Sequence, residues 1–93
     1  MGEFEWDPGK AEANFVKHKI DFLEAIRVFE ANHFTYRSHR GTEERYVTIG
    51  PVHGRLLAVI WTFRGFEIRR LISARRARDV EARLYSQSVS QGG

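Results

Sequence analysis

Apolar positions change their period near residue 33, which divides the chain into a helical first third and a strand-rich remainder. Ahead of that point, Phe4 and Trp6 alternate around Glu5 as a short strand over residues 3–6. Asp7-Pro8 then opens a helix, because aspartate caps well and proline in the first turn loses no hydrogen bond that the helix needs. Ala11, Phe15 and His18 recur at helical spacing, which predicts a helix ending near His18. Asp21-Phe22-Leu23-Glu24 repeats the start signal as a capping-box variant. Phe22, Ala25, Ile26 and Phe29 follow at i, i+3, i+4 and i+7, so a second helix with a core face reaches residues 30–32.

Beyond the switch the pattern is that of strands. Residues 33–38 hold the β-prone Phe34, Thr35 and Tyr36, and residues 45–49 alternate with Val47 and Ile49 on one face. Residues 56–63 are apolar but for Thr62, as expected of a central strand covered on both sides, and residues 66–72 return as a strand carrying Arg69 and Arg70. Arg40-Gly41-Thr42, Gly50-Pro51 with Gly54, and Arg64-Gly65 mark the turns. Ser73 reads as the cap of a C-terminal helix with Val80 and Leu84 toward the core, which puts Arg75 and Arg76 in its first turn. Residues 86–93 are polar and are expected to be a mobile tail beyond a single domain of residues 1–85. Strand, two helices, strands with short connections and a last helix together predict an α+β fold on an antiparallel meander.

Composition narrows the chemistry. With 93 residues the chain makes one core, and 42% apolar content with seven Phe, three Tyr and two Trp excludes intrinsic disorder. Cysteine is absent, which removes disulfides, thiolate zinc sites, iron–sulfur clusters and cysteine nucleophiles. The longest apolar run, residues 56–61, is far short of a membrane span, and the acidic opening Glu3, Glu5, Asp7 is unlike a targeting peptide. A small, soluble, cytoplasmic domain is expected.

The net charge of +3 conceals a gradient from −3 over residues 1–32 to +2 over residues 33–62 and +4 over residues 63–93. Twelve arginines against three lysines favour a partner that the planar guanidinium fork reads well, a phosphate or carboxylate, although an arginine-rich genome gives the same bias. His18, His33, His39 and His53 lack ligand spacing, so no metal site is expected. The first two helices make a poor DNA reader, since the second has only Arg27 as a cation. No glycine-rich phosphate loop or serine nucleophile elbow is present. Within residues 64–83, seven of twenty are arginine. Arg78 and Arg83 suit a solvated helix face, whereas Arg64, Arg70 and Arg75 bracket a turn and a cap and suggest a phosphate-binding concavity.

These motifs also carry a family resemblance. Phe4-Glu5-Trp6-Asp7-Pro8-Gly9-Lys10, Asn14, Lys17-His18, Glu24-Ala25 and Val28-Phe29 resemble the BrnT toxins. So do Glu44-Arg45, Gly54-Arg55-Leu56-Leu57, Arg64-Gly65 and Arg70-Leu71-Ile72-Ser73-Ala74-Arg75 with Glu81 and Tyr85, so that the likeness spans about residues 4–85. Lys19 and Ala31-Asn32 depart from the Gly and Asp-Pro usual in that family. The resemblance implies a RelE-like fold and a metal-independent ribonuclease, the toxin of a type II pair that cleaves mRNA and slows translation. Its implied partner is a BrnA-type ribbon-helix-helix antitoxin, through which alone it meets DNA; no cofactor or membrane is implied.

On that reading Arg64, Arg70 and Arg75 hold the phosphate, with Arg45, Arg76 and Tyr85 contacting RNA, Tyr85 by stacking on a base. His18 is the candidate acid or base, and a packed histidine at a helix end is its other reading. Glu81 is expected to pair with an arginine. The rival function is a non-catalytic interaction module, or inactive toxin, in which the same arginines meet an acidic partner.

Overall fold

A computed structural model describes residues 3–40 and 42–92; Gly41, in the turn expected at residues 40–42, and Gly93, in the expected tail, lie outside the described residues. Among the described residues five strands form one sheet: β1 (Glu3–Glu5), β2 (Phe34–Arg40), β3 (Glu43–Val52), β4 (Arg55–Phe63) and β5 (Ile68–Arg76). Their order is β1-β5-β4-β3-β2. The four later strands make the expected antiparallel meander. β1, however, joins β5 in parallel, Glu3 opposite Ile68 and Glu5 opposite Arg70, so the sheet is mixed. The helices between β1 and the meander supply the crossover that parallel pairing requires.

Helix α1 (Pro8–His18) starts where the sequence predicts: the Asp7 carboxylate accepts the Lys10 N–H at 3.0 Å. It ends on Lys19, whose φ of 61° is left-handed and whose N–H reaches the Phe15 carbonyl at 2.8 Å. Asp21 caps α2 (Phe22–Ala25) in the same way through Leu23 N–H. The expected long second helix then tightens to a 3₁₀ segment over Ile26–Glu30. That segment rests on Gly50, where a Cβ would lie 2.8 Å from Val28 Cγ2 and 3.3 Å from the Val28 carbonyl. A side chain at residue 50 would lift the segment off the sheet.

α1, α2 and the 3₁₀ segment cover one sheet face, burying Ile20, Phe22, Ala25, Val28, Leu57, Val59, Trp61 and Leu71. Phe15 of α1 is half exposed, whereas its neighbour Asn14 is buried. Arg69 also belongs to this side: its guanidinium stacks 4.8 Å from the Phe29 ring centroid and 5.1 Å from that of Trp61. The opposite face carries Val47, Ile49 and Ala58 and is partly covered by α3 (Asp79–Gly92).

Three expectations fail at this last helix. Ser73 caps nothing, and Arg75 and Arg76 lie on β5. Leu71 and Ala74 are buried against the first helices and β5 pairs with β4 as far as Arg76, so tertiary packing overrides the helix-prone Ser-Ala-Arg-Arg. α3 begins at Asp79 instead, with Ala82 N–H on the Arg78 carbonyl and Arg78 N–H on the Glu81 carboxylate, the reciprocal half of a capping box. Its buried contacts are made by Glu81 and Tyr85, while Val80 and Leu84 are exposed. Residues 86–92, expected as a tail, continue the helix. Among the described residues no helix is long and apolar enough to cross a membrane.

Candidate functional site

The site is built around an irregularity in β5. Trp61 of β4 faces Leu71 but Ile60 faces Ser73, which leaves Ile72 as an extra residue. The bulge resets the alternation. Leu71 and Ala74, three apart, both pack toward the helices, and Ile72, Ser73 and Arg75 line a concavity on the other side.

β1 pairs only with Ile68–Arg70, so the edge of β5 beyond that needs another partner. Asn14 of α1 supplies it. Its carboxamide accepts the Ala74 N–H (3.0 Å) and donates to the Ala74 carbonyl (3.0 Å), doing for one residue what a neighbouring strand would do. The same side chain accepts from Ser73 Oγ and donates to the Ile20 carbonyl, using every polar position it has. One turn further along α1, Lys17 and His18 come to the mouth of the concavity.

The cleft measures about 350 Å³. Its apolar floor is Val47, Ile60 and Ile72, its hydroxyls are Tyr36, Ser38 and Ser73, and its cations are Lys17, Arg45, Arg75 and Arg78 beside His18. Among the described residues no carboxylate lines it. Among the described residues no group of three His, Cys, Asp or Glu comes together as a metal site. Burial, then the Lys17 charge, then Arg75 lower the His18 pKa from 6.5, so the imidazole is neutral at pH 7 and free to accept a proton.

Beneath the lining, Glu81 forms a bidentate pair with Arg75 (2.7 and 2.9 Å) and accepts the Tyr36 hydroxyl at 2.6 Å. Burial alone would raise the Glu81 pKa; the bonds from Arg75, the Arg78 N–H and Tyr36 overcome that and hold it at about 2. The pairing of Glu81 with an arginine matches the expectation from sequence. Burial and the bond to this carboxylate raise the Tyr36 pKa, so the hydroxyl keeps its proton.

Of the residues singled out from sequence, the cleft gathers His18, Arg45 and Arg75. Arg45 pairs with Glu43 at 3.2 Å through Nη2, and its buried Nε has no hydrogen-bond partner. The expected convergence of Arg64, Arg70 and Arg75 does not form. Arg70 donates to Glu5 at 2.6 Å and Arg64 lies 3.9 Å from the same carboxylate. Arg70 and Arg75 are on one strand, five residues or roughly 16 Å apart. Only a helix start at Ser73 would fold these residues together, and β5 continues past Ser73 to Arg76. Arg76 is exposed and outside the cleft. Tyr85 is not placed to stack on a base: its hydroxyl donates to the Asn32 carbonyl at 3.0 Å and its ring packs against the second core cluster, fastening α3 down.

Tyr36, Ser38, Lys17, Ser73 and Arg78 were missed. For two of them a signal was present, since period two along β2 puts Tyr36 and Ser38 on one face and the register sets Ser38 opposite Arg45.

Comparison with known proteins gives this arrangement a family. Residues 6–81 match the family described as the ribonuclease toxin, BrnT, of type II toxin–antitoxin systems. The crystal structure of the Brucella abortus ribonuclease toxin, BrnT, superposes with a TM-score of 0.63 at 28% identity, covering 85% of this chain and 100% of that one. No curated protein matches the chain in sequence. The chain thus belongs to the BrnT family, the ribonuclease toxins of type II toxin–antitoxin systems.

Proposed function

We propose that this chain is an endoribonuclease that cleaves mRNA through the substrate's own 2′-hydroxyl, slows translation, and is held in check by a BrnA-type ribbon-helix-helix antitoxin through which alone it meets DNA. The observation that carries the chemistry is a neutral His18 beside four cations in one cleft without a carboxylate. A lining with four cations and, among the described residues, no carboxylate suits a phosphodiester and repels a divalent metal, which needs hard oxygen ligands. His18 takes the 2′-hydroxyl proton as that oxygen attacks phosphorus; the bond to the 5′-oxygen breaks, that oxygen takes a proton from solvent water, and His18 returns its own to solvent. The products are a 2′,3′-cyclic phosphate and a 5′-hydroxyl. Arg75 and Arg45 meet the charge that grows on the non-bridging oxygens. Arg64 and Arg70, engaged with Glu5, tie β1 to β5 in this reading and do not touch the reacting phosphate.

The test is cleavage of a long mRNA by the purified chain in EDTA, with the new ends identified chemically. Arg75→Ala and Arg45→Ala should each lower the rate about 10²–10³-fold, as for loss of one preorganised donor. His18→Gln should cost about 10²–10⁴-fold, and Arg64→Ala less than about tenfold. Expression should arrest bacterial growth, and coexpressed antitoxin should restore it. Intact mRNA and unimpaired growth at verified expression of folded chain would instead favour the non-catalytic interaction module.

A further inference from the structure

Glu81 is saturated. Its Oε1 accepts from Arg75 Nη1 at 2.7 Å and from the Arg78 backbone N–H at 2.8 Å. Its Oε2 accepts from Arg75 Nη2 at 2.9 Å and from the Tyr36 hydroxyl at 2.6 Å. A carboxylate has about four lone-pair positions and all four are taken, so Glu81 has none left with which to accept a substrate proton. It is 2% exposed and lies under the cleft, not in its lining. Burying an ion pair is seldom repaid in stability, because well-packed apolar residues in its place do as well or better. Another account of this pair is therefore needed, and the geometry of Arg75 provides one.

A guanidinium has five N–H bonds on two forks and a corner. Glu81 occupies the Nη1–Nη2 fork, and the remaining Nη1 hydrogen goes to the Arg76 carbonyl at 3.2 Å. Among the described residues no hydrogen bond is made by the other two hydrogens, on Nε and Nη2, which are parallel neighbours on one edge. Arg75 lines the cleft, so that edge is the one available to a ligand. Its spacing matches the two non-bridging oxygens of a phosphodiester. We infer that Glu81 is a positioning residue that seizes one fork of Arg75, so that the Nε–Nη2 edge is presented to the scissile phosphate in a single orientation. This rests on the reading of the cleft as the ribonuclease site. Tyr36 supports the carboxylate in turn, and neither Glu81 nor Tyr36 needs to touch the reacting atoms.

The experiment combines arginine Nε–H NMR with kinetics on the full chain. The ligand is a 2′-O-methyl oligoribonucleotide, which lacks the attacking hydroxyl, and the Arg75 resonance is assigned by its loss in Arg75→Gln. The wild-type Arg75 Nε–H signal should shift on titration. Glu81→Gln puts an amide donor against one Arg75 N–H. It should broaden that signal, lower kcat about 10–100-fold, and leave KM within about threefold, with thermal unfolding showing a folded chain. Tyr36→Phe, which removes one support and keeps the ring, should lower kcat about 3–10-fold and serves if Glu81→Gln does not fold. A fixed Arg75 Nε–H signal while Arg45 and His18 respond would overturn the inference and leave the cleft reading intact. A folded Glu81→Gln chain with kcat within twofold of wild type would do the same. A wild-type chain that neither binds the oligonucleotide nor cleaves RNA overturns both.

Discussion

His18 is set apart from the other histidines by where α1 stops: it occupies the last turn, with Lys17 before it and Arg75 across the cleft. Both cations disfavour an imidazolium, in the same direction as burial. A base whose folded pKa is below 6.5 is unprotonated at pH 7, and its activity is lost only as pH falls through that lowered value. The acid limb of kcat/KM should accordingly have its midpoint below 6.5. Arg75→Gln removes one of the depressing charges and should move the midpoint up, while lowering the plateau. An acid limb at or above 6.5 in the wild-type chain would exclude His18 as the base. Stability should respond with the matching sign: the unfolded chain binds the extra proton first, so His18 favours unfolding as pH drops below 6.5.

At the scale of the elements, Lys19 gives the most direct test. Its φ of 61° closes α1, and a residue with a Cβ pays roughly 1–2 kcal/mol for that conformation where glycine does not. Lys19→Gly should therefore stabilise the chain by about 1 kcal/mol, seen as a rise of about 4–8 °C in Tm. It should leave cleavage unchanged within a few-fold, because Lys19 is outside the cleft lining. The departure from the family glycine was visible in the sequence, as were both aspartate caps and the strands of the meander, because such signals are local. The end of β5 was not legible. Ser73-Ala74-Arg75-Arg76 prefers a helix locally and becomes a strand because Ala74 is bonded by Asn14, sixty residues away in sequence. The same distant contact explains why Arg75 belongs with His18 and not with Arg64 and Arg70.

Across the whole molecule, the basic stretch of residues 64–83 does not form one surface. Arg69 lies among aromatic rings, Arg64 and Arg70 flank Glu5, and Arg75 and Arg78 reach the cleft with Lys17 and Arg45. Binding of single-stranded RNA should release counterions for the phosphates met by that last group alone. With about three phosphates neutralised, log K against log salt should have a slope near −2, at roughly −0.7 per phosphate. Arg45→Ala should flatten it by about 0.7, and Arg64→Ala should leave it unaltered. A slope several units steeper would mean that RNA follows the wider basic surface.

The parallel pairing of β1 with β5 also bears on when the chain becomes dangerous to the cell that makes it. Glu5 and Arg70, bonded to each other, are 65 residues apart, and the Arg75 that lines the cleft is pinned by a helix made later still. Translation delivers the elements in order, and non-local pairings form only when both partners have emerged. α1 leaves the ribosome early and has no strand edge for Asn14 to bond until β5 follows it. A nascent chain stalled ahead of residue 68 should therefore cleave no RNA, and activity should appear only once α3 is clear of the tunnel. On the proposed function, activity would then wait for the end of synthesis, which gives an antitoxin already present the time to meet the finished protein.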